Sequence, residues 1–131
     1  NNKMRLYWTD KLLEEGYEVP AIVHPSAVVS PSAVLEPGCF VMQRAVVNTN
    51  TRIGRAVLVN SGAIVDHNSV VCAGAHVGLG SVVKSDCTIE SGRKVEAGEV
   101  IFSTRRKIEG VDSRSLEDAV YAFGSGSSAV M

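Results

Sequence analysis

A valine, isoleucine or leucine recurs every six residues, at Val23, Val29, Leu35, Val41, Val47, Ile53, Val59, Val65, Val71, Val77, Val83, Ile89, Val95 and Ile101. Helices repeat their apolar positions near 3.6 residues and isolated strands every second residue, so a sixfold period belongs to neither. It fits a solenoid in which each hexad is one short strand and a corner, and three hexads close a triangular coil. Two places before each repeating residue sits a small or short side chain: Ala27, Ala33, Cys39, Ala45, Thr51, Val57, Ala63, Ser69, Ala75, Ser81 and Cys87. This second register breaks only at Arg93 and Glu99. Both registers point into a prism too narrow for water, which accepts only apolar or small groups. From residue 23 to 104 the chain makes roughly four and a half coils, about 22 Å of prism at the spacing of paired strands. A carboxylate at Val59 or Val65 would be buried between neighbouring coils without a partner, at a cost of several kcal/mol. Gly38, Gly54, Gly62, Gly74, Gly78, Gly80, Gly92 and Gly98 follow a repeating residue by one or three places, where corners call for positive φ.

The 131 residues form three segments around one core: an N-terminal helix over 1–18, a parallel β-solenoid over 19–104, and a basic turn, helix and tail over 105–131. The first helix is placed at 4–15, carrying Trp8, Leu12 and Leu13 and closed by Gly16. Beyond the solenoid come Arg105, Arg106 and Lys107, and then a stretch in which Leu116, Ala119, Val120 and Phe123 share one helical face. Such a helix would cover the open end of the prism, where strand edges are unpaired. Residues 124–131 read as a frayed tail. A net charge of −1 gives no reason to expect nucleic acid or an anionic membrane as partner. With no secretory apolar region and no run long enough to span a bilayer, a cytoplasmic setting is expected. Cys39, Cys72 and Cys87 are not separated by multiples of eighteen, so they do not stack on one another and read as reduced thiols.

The polar residues that stand out within the coils are Asn60, Asp66, His67, Asn68 and His76. His67 follows Val65 into a corner, whereas His76 precedes Val77 and points outward, half a perimeter away. At about 3.3 Å per extended residue the two cannot meet within one subunit. They converge only if prisms pack side by side, as in a cyclic trimer. In such a cleft a neutral imidazole, ordinarily titrating near 6.5, can take a proton from an incoming amine or hydroxyl, with Asp66 or Asn68 to orient it. A zinc centre needs three or four convergent ligands, and the histidines His24, His67 and His76 have no close-spaced pair, so no metal is expected.

The hexads resemble the left-handed β-helix of hexapeptide-repeat acyltransferases. The segments Asn1-Asn2-Lys3-Met4-Arg5, Gly16-Tyr17, Ile22-Val23-His24-Pro25-Ser26-Ala27 and Val59-Asn60-Ser61-Gly62-Ala63-Ile64-Val65-Asp66-His67, with His76 beyond, are similar to the PglD/NeuD-like sugar acetyltransferases. The resemblance implies a left-handed coil, a homotrimer with intersubunit sites, acetyl-CoA as cosubstrate and no metal. It makes His67 the general base that frees a sugar amine or hydroxyl to attack the thioester, with Asn60 and His76 in the substrate site. Arg105, Arg106 and Lys107 would hold the phosphates of CoA. Three departures stand against it. Asn68 occupies the place of an acidic residue, which would steady the imidazolium. The family's Rossmann-like sugar-binding domain is represented only by its final helix. The coils beyond His76 are fewer than usual. A catalytically degenerate trimeric β-helix scaffold is therefore the alternative to an acetyltransferase.

Overall fold

The structure, a computed structural model, describes residues 1–102. The basic cluster Arg105, Arg106 and Lys107, the second helix and the tail lie outside the described residues. After one helix, α1 (Asn2–Glu14), the chain winds through two-residue strands on three faces of a prism. The first face stacks β1 (Ile22–Val23), β4 (Phe40–Val41), β7 (Leu58–Val59), β10 (His76–Val77) and β13 (Lys94–Val95). The second stacks β2 (Val28–Val29), β5 (Val46–Val47), β8 (Ile64–Val65), β11 (Val82–Val83) and β14 (Val100–Ile101). The third stacks β3 (Val34–Leu35), β6 (Arg52–Ile53), β9 (Val70–Val71) and β12 (Thr88–Ile89). All pairings are parallel and offset by one coil, so that Leu58 lies beside His76 and His76 beside Lys94. This is a parallel β-solenoid of about four turns, matching a left-handed β-helix.

The second residue of every strand is the repeating one of the sequence. From Val41 to Val95 these residues form a single column of core with almost no exposure. The small register fills the rest. Thr51, Ser69 and Ser81 are buried with it, and each hydroxyl donates to a backbone carbonyl: Asp66 O at 2.9 Å, Lys84 O at 2.8 Å and Gly78 O at 2.7 Å. Hydrogen-bonded in this way, they add no orphaned polar atom to the core. The two breaks in the register answer each other, since Arg93 Nη2 lies 3.6 Å from Glu99 Oε2 near the end of the coils.

Corners repeat as regularly as strands. The third residue of a corner donates its N–H to the coil before it, to the carbonyl of the second residue in Gly62 to Gln43 O (2.9 Å), Asn68 to Thr49 O (2.9 Å) and Gly74 to Arg55 O (2.9 Å), and to a serine hydroxyl in Arg44 to Ser26 Oγ (3.0 Å) and Asn50 to Ser32 Oγ (3.1 Å). That geometry needs left-handed backbone. It is met by glycine at Gly38, Gly62, Gly74, Gly80, Gly92 and Gly98, but also by Arg44, Asn50, Ala56, Asn68 and Asp86 with φ of 55–58°. Gly54 and Gly78 correct the expectation that every corner glycine serves this purpose. Their φ is not positive; they are glycines because the next coil is too close. A Cβ on Gly54 would sit 2.8 Å from Ala73 N, and one on Gly78 would collide with Val95 O.

The helix differs from its expected limits. It begins at Asn2 rather than residue 4, because the Asn1 carboxamide accepts from Lys3 N (2.9 Å) and Met4 N (3.2 Å) as an N-cap. It ends where Gly16, at φ 87°, donates to Leu13 O and Tyr17 to Leu12 O. Its inner face is not that of Trp8 and Leu12, which are 50% and 37% exposed. It lies along the corner between the third and first faces, where Gly38, Ala56, Gly74 and Gly92 stack. Thr9 packs on Gly38, Leu6 packs on Gly74, and Asn2 Nδ2 donates to Gly92 O (3.2 Å). Arg55 ties the helix down through Asp10, Nε to Oδ1 at 2.6 Å. A corner of small residues and carbonyls selects short side chains and donors, so the polar-looking side of the helix turns inward.

Candidate functional site

Asn60 opens the corner between the first and second faces, immediately after β7. Its Oδ1 accepts from Ser61 N (2.9 Å), which leaves Nδ2 to face the imidazole of His76 on β10, 3.1 Å from Nε2. The amide can only donate, so Nε2 accepts and the proton of the neutral ring resides on Nδ1. Gly78 stands one coil above Asn60 and has no side chain to occupy that space. Burial, first, and then the positive charges of Arg5, Lys94 and the amino terminus push the His76 pKa below its ordinary value, against the opposing carboxylate of Glu96. His76 is thus a neutral imidazole held in one orientation, with Nδ1–H available as a donor.

His67 sits in the next corner, between the second and third faces. Asn68 Nδ2 lies 3.3 Å from His67 Nδ1. Asp66 points elsewhere: its Oδ1 accepts from Asn48 Nδ2 (3.0 Å) and from His67 N–H (2.8 Å), so the carboxylate braces the corner backbone. The structure therefore sets Asn68, not Asp66, against the ring. It places His67 at a corner and His76 on the first face, and it joins Asn60 to His76, a contact the sequence reading did not contain. His24 is spent on its own turn, with Nδ1 2.8 Å from Ser26 Oγ.

Between the two loci lies the outer side of the second face, where Val28, Val46, Ile64, Val82 and Val100 give an aliphatic side chain at every coil. Val28, Ile64 and Val100 are 63%, 38% and 41% exposed. The first face instead runs Ile22, Phe40, Leu58, His76, Lys94, and the third Val34, Arg52, Val70, Thr88. A cavity of about 560 Å³ opens between α1 and the start of the first face, lined by Met4, Trp8, Leu12, Ile22 and Phe40. Its residues on the first face lie two coils or more from His76, and none of Asn60, Asp66, His67, Asn68 and His76 lines it. Among the described residues no three histidine, cysteine or carboxylate side chains converge, and no helix is long and apolar enough to cross a membrane.

The fold defines a class: a hexapeptide-repeat β-solenoid with paired polar loci on either flank of an aliphatic face. Among solved structures the chain is similar to sugar N-acetyltransferases of that repeat family. One is PerB from Caulobacter crescentus in complex with CoA and GDP-perosamine, at 31% identity and a TM-score of 0.64, covering 78% of this chain and 58% of that one. Another is the acetyltransferase domain of PglB from Neisseria gonorrhoeae FA1090 in complex with acetyl coenzyme A, at 32% identity and a TM-score of 0.64, covering 79% of this chain and 59% of that one. This chain thus spans less than two thirds of either structure. No protein-family model and no curated protein matches it.

Proposed function

We propose that the protein is an acetyl-CoA-dependent acetyltransferase that modifies an amino or hydroxyl group of a sugar, assembled as a homotrimer with His67 of one prism facing Asn60 and His76 of the next. The reading is carried by the likeness of the coils to solved acetyltransferases, two of them at least 31% identical and bound to CoA or acetyl coenzyme A. The aliphatic second face supports the assembly: covering it with a neighbouring prism removes that column from water and brings the two flanking loci together. A cytoplasmic setting agrees with acetyl-CoA as cosubstrate.

In this reaction the acceptor nitrogen or oxygen attacks the thioester carbonyl, and the C–S bond breaks as the tetrahedral intermediate collapses to acetylated acceptor and CoA thiol. His67 Nε2 takes the acceptor's proton and returns it to the leaving sulfur. For that, Nδ1 must carry the other proton and give it to an acceptor. Asn68 does this when its amide presents Oδ1, half a turn from the arrangement with Nδ2 against the ring; the two ends have the same size. Nδ1–H of His76 is a donor for the acceptor sugar or for the developing oxyanion, a contribution of about 3 kcal/mol where such a donor is aligned. Arg105, Arg106 and Lys107 are assigned to the CoA phosphates on charge alone.

A second reading, a trimeric scaffold without catalysis, draws on Asn68: an amide cannot stabilise imidazolium by charge. Titration calorimetry decides between them. Binding of acetyl-CoA, with transfer to an amino-sugar panel that His67→Ala abolishes, is the expected result; no heat up to millimolar ligand overturns the enzyme reading. Light scattering should give a trimer mass, and Ile64→Glu should give the monomer. A monomeric wild type removes the shared site.

A further inference from the structure

α1 reaches the candidate site through a single side chain. Arg5 Nε donates to Ala56 O at 2.5 Å, and its Nη2 lies 3.3 Å from Gly74 O and 3.1 Å from both Ala75 O and Asn2 Oδ1. Ala56 belongs to the corner that leads into β7, and β7 delivers Asn60. Ala75 directly precedes His76. One guanidinium therefore bridges the two successive coils whose side chains meet in the Asn60–His76 contact.

A guanidinium is a planar fork with donors in fixed directions, so its carbonyl partners are held in a fixed relation to each other. We propose that Arg5 is a positioning residue of the site, setting the β7 coil against the β10 coil so that the Asn60 amide holds His76 in one tautomer. The inference takes the role of His76 from the function proposed above. It gives the helix a part in the chemistry: α1 determines which ring nitrogen of His76 is offered to an acceptor.

The charge of Arg5 acts in the same sense. The charged groups facing His76 are Arg5 from α1, Lys94 from β13, the amino terminus and the opposing Glu96. Among these Arg5 is the cation whose place is fixed by bonds to both coils. It disfavours a second proton on the ring while its hydrogen bonds set the ring's surroundings.

Long-range nitrogen–proton NMR on the full chain reads the tautomer and titration of each histidine, assigned with His24→Gln, His67→Gln and His76→Gln. Wild type should show His76 as one Nδ1–H tautomer. In Arg5→Gln the two tautomers should mix and the His76 midpoint should rise. In Arg5→Lys the midpoint should stay low while the tautomers mix, because an ammonium cannot span both coils. A fixed His76 tautomer in folded Arg5→Gln or Arg5→Lys overturns the proposal. So does a fixed tautomer in Asn60→Ala, which leaves α1 and its anchors intact and serves if the Arg5 variants do not fold. Calorimetry with CoA on the wild type separates the two claims. Tautomer mixing without CoA binding keeps Arg5 as the positioning residue and removes the acetyltransferase reading; CoA binding with an unmoved tautomer does the reverse.

Discussion

Two corners of the prism share one backbone and have opposite fates. Between the third and first faces the stacked third residues are Gly38, Ala56, Gly74 and Gly92; between the second and third faces they are Ser32, Asn50, Asn68 and Asp86. Ala56 and Asn68 have the same φ of 57°. The first column has at most a methyl group, and α1 lies on it. The second is covered by no described element, and its short polar side chains stand beside His67. Left-handed corners demand residues that tolerate the conformation, and glycine, asparagine and aspartate all do. Which of them is used then decides whether the corner is a seat for a helix or a rim that carries chemistry.

The sharpest way to break this contrast is to put a side chain under the helix. Gly38→Ala adds a Cβ 2.7 Å from Thr9 Cγ2 at a φ of 73°, and should cost about 2–4 kcal/mol from strain and overpacking together. Urea melts will measure this, and Thr9→Ala in the same chain should recover the overpacking part but not the strain. Asn68→Asp alters the open corner without loading it. It restores a charge beside His67 Nδ1 and should raise acetyl transfer about tenfold with little change in melting. An unchanged or lower rate would mean that the amide is already the better partner.

The covered corner also reaches the pH response through Arg5. His76 is held below its ordinary pKa in the folded chain, so the unfolded chain binds this proton first as pH falls. Stability from this group is complete above about 6.5 and is lost as pH drops from there toward the lowered folded value. His76→Gln should flatten that part of the curve of stability against pH. The smallest effects come from relieving Ala56 and Asn68, both at 57°. Ala56→Gly should gain roughly 0.5 kcal/mol, the left-handed strain of alanine exceeding the entropy of glycine, and Asn68→Gly should stay within about 0.5 kcal/mol of wild type.

The sixfold column was readable because one residue in six is forced into a closed interior, and each of the fourteen appears as the second residue of a strand. The corners were half readable. Gly54 and Gly78 looked like the others, but steric closeness of the next coil and left-handed φ leave the same letter in the sequence. Arg44 and Ala56 give no sign at all of their conformation, since neither residue type reports it. The apolar residues Trp8 and Leu12 do not mark the inner face of the helix, because its seat offers carbonyls and glycines rather than a greasy groove. The Asn60–His76 contact follows from arithmetic by coil rather than from separation along the chain. Eighteen residues before His76 is Leu58, and Asn60 is two further on, at the adjoining corner of the coil below. Whether His67 and His76 face each other between prisms depends on packing, which a single chain's pattern does not encode.

Thr9 rests on Gly38, Arg5 on Ala56 and Gly74, Leu6 on Gly74 and Asn2 on Gly92, so the helix touches four successive coils at fixed intervals. It acts as a ruler. An eighteen-residue insertion between Gly38 and Gly92 would keep every face in phase and yet shift the marks by about 4.8 Å, leaving the helix out of step with its notches. The same insertion beyond Gly92 would pass unmeasured. Changes in the length of this prism are therefore tolerated at one end only, and the stretch that carries both histidines is the calibrated one.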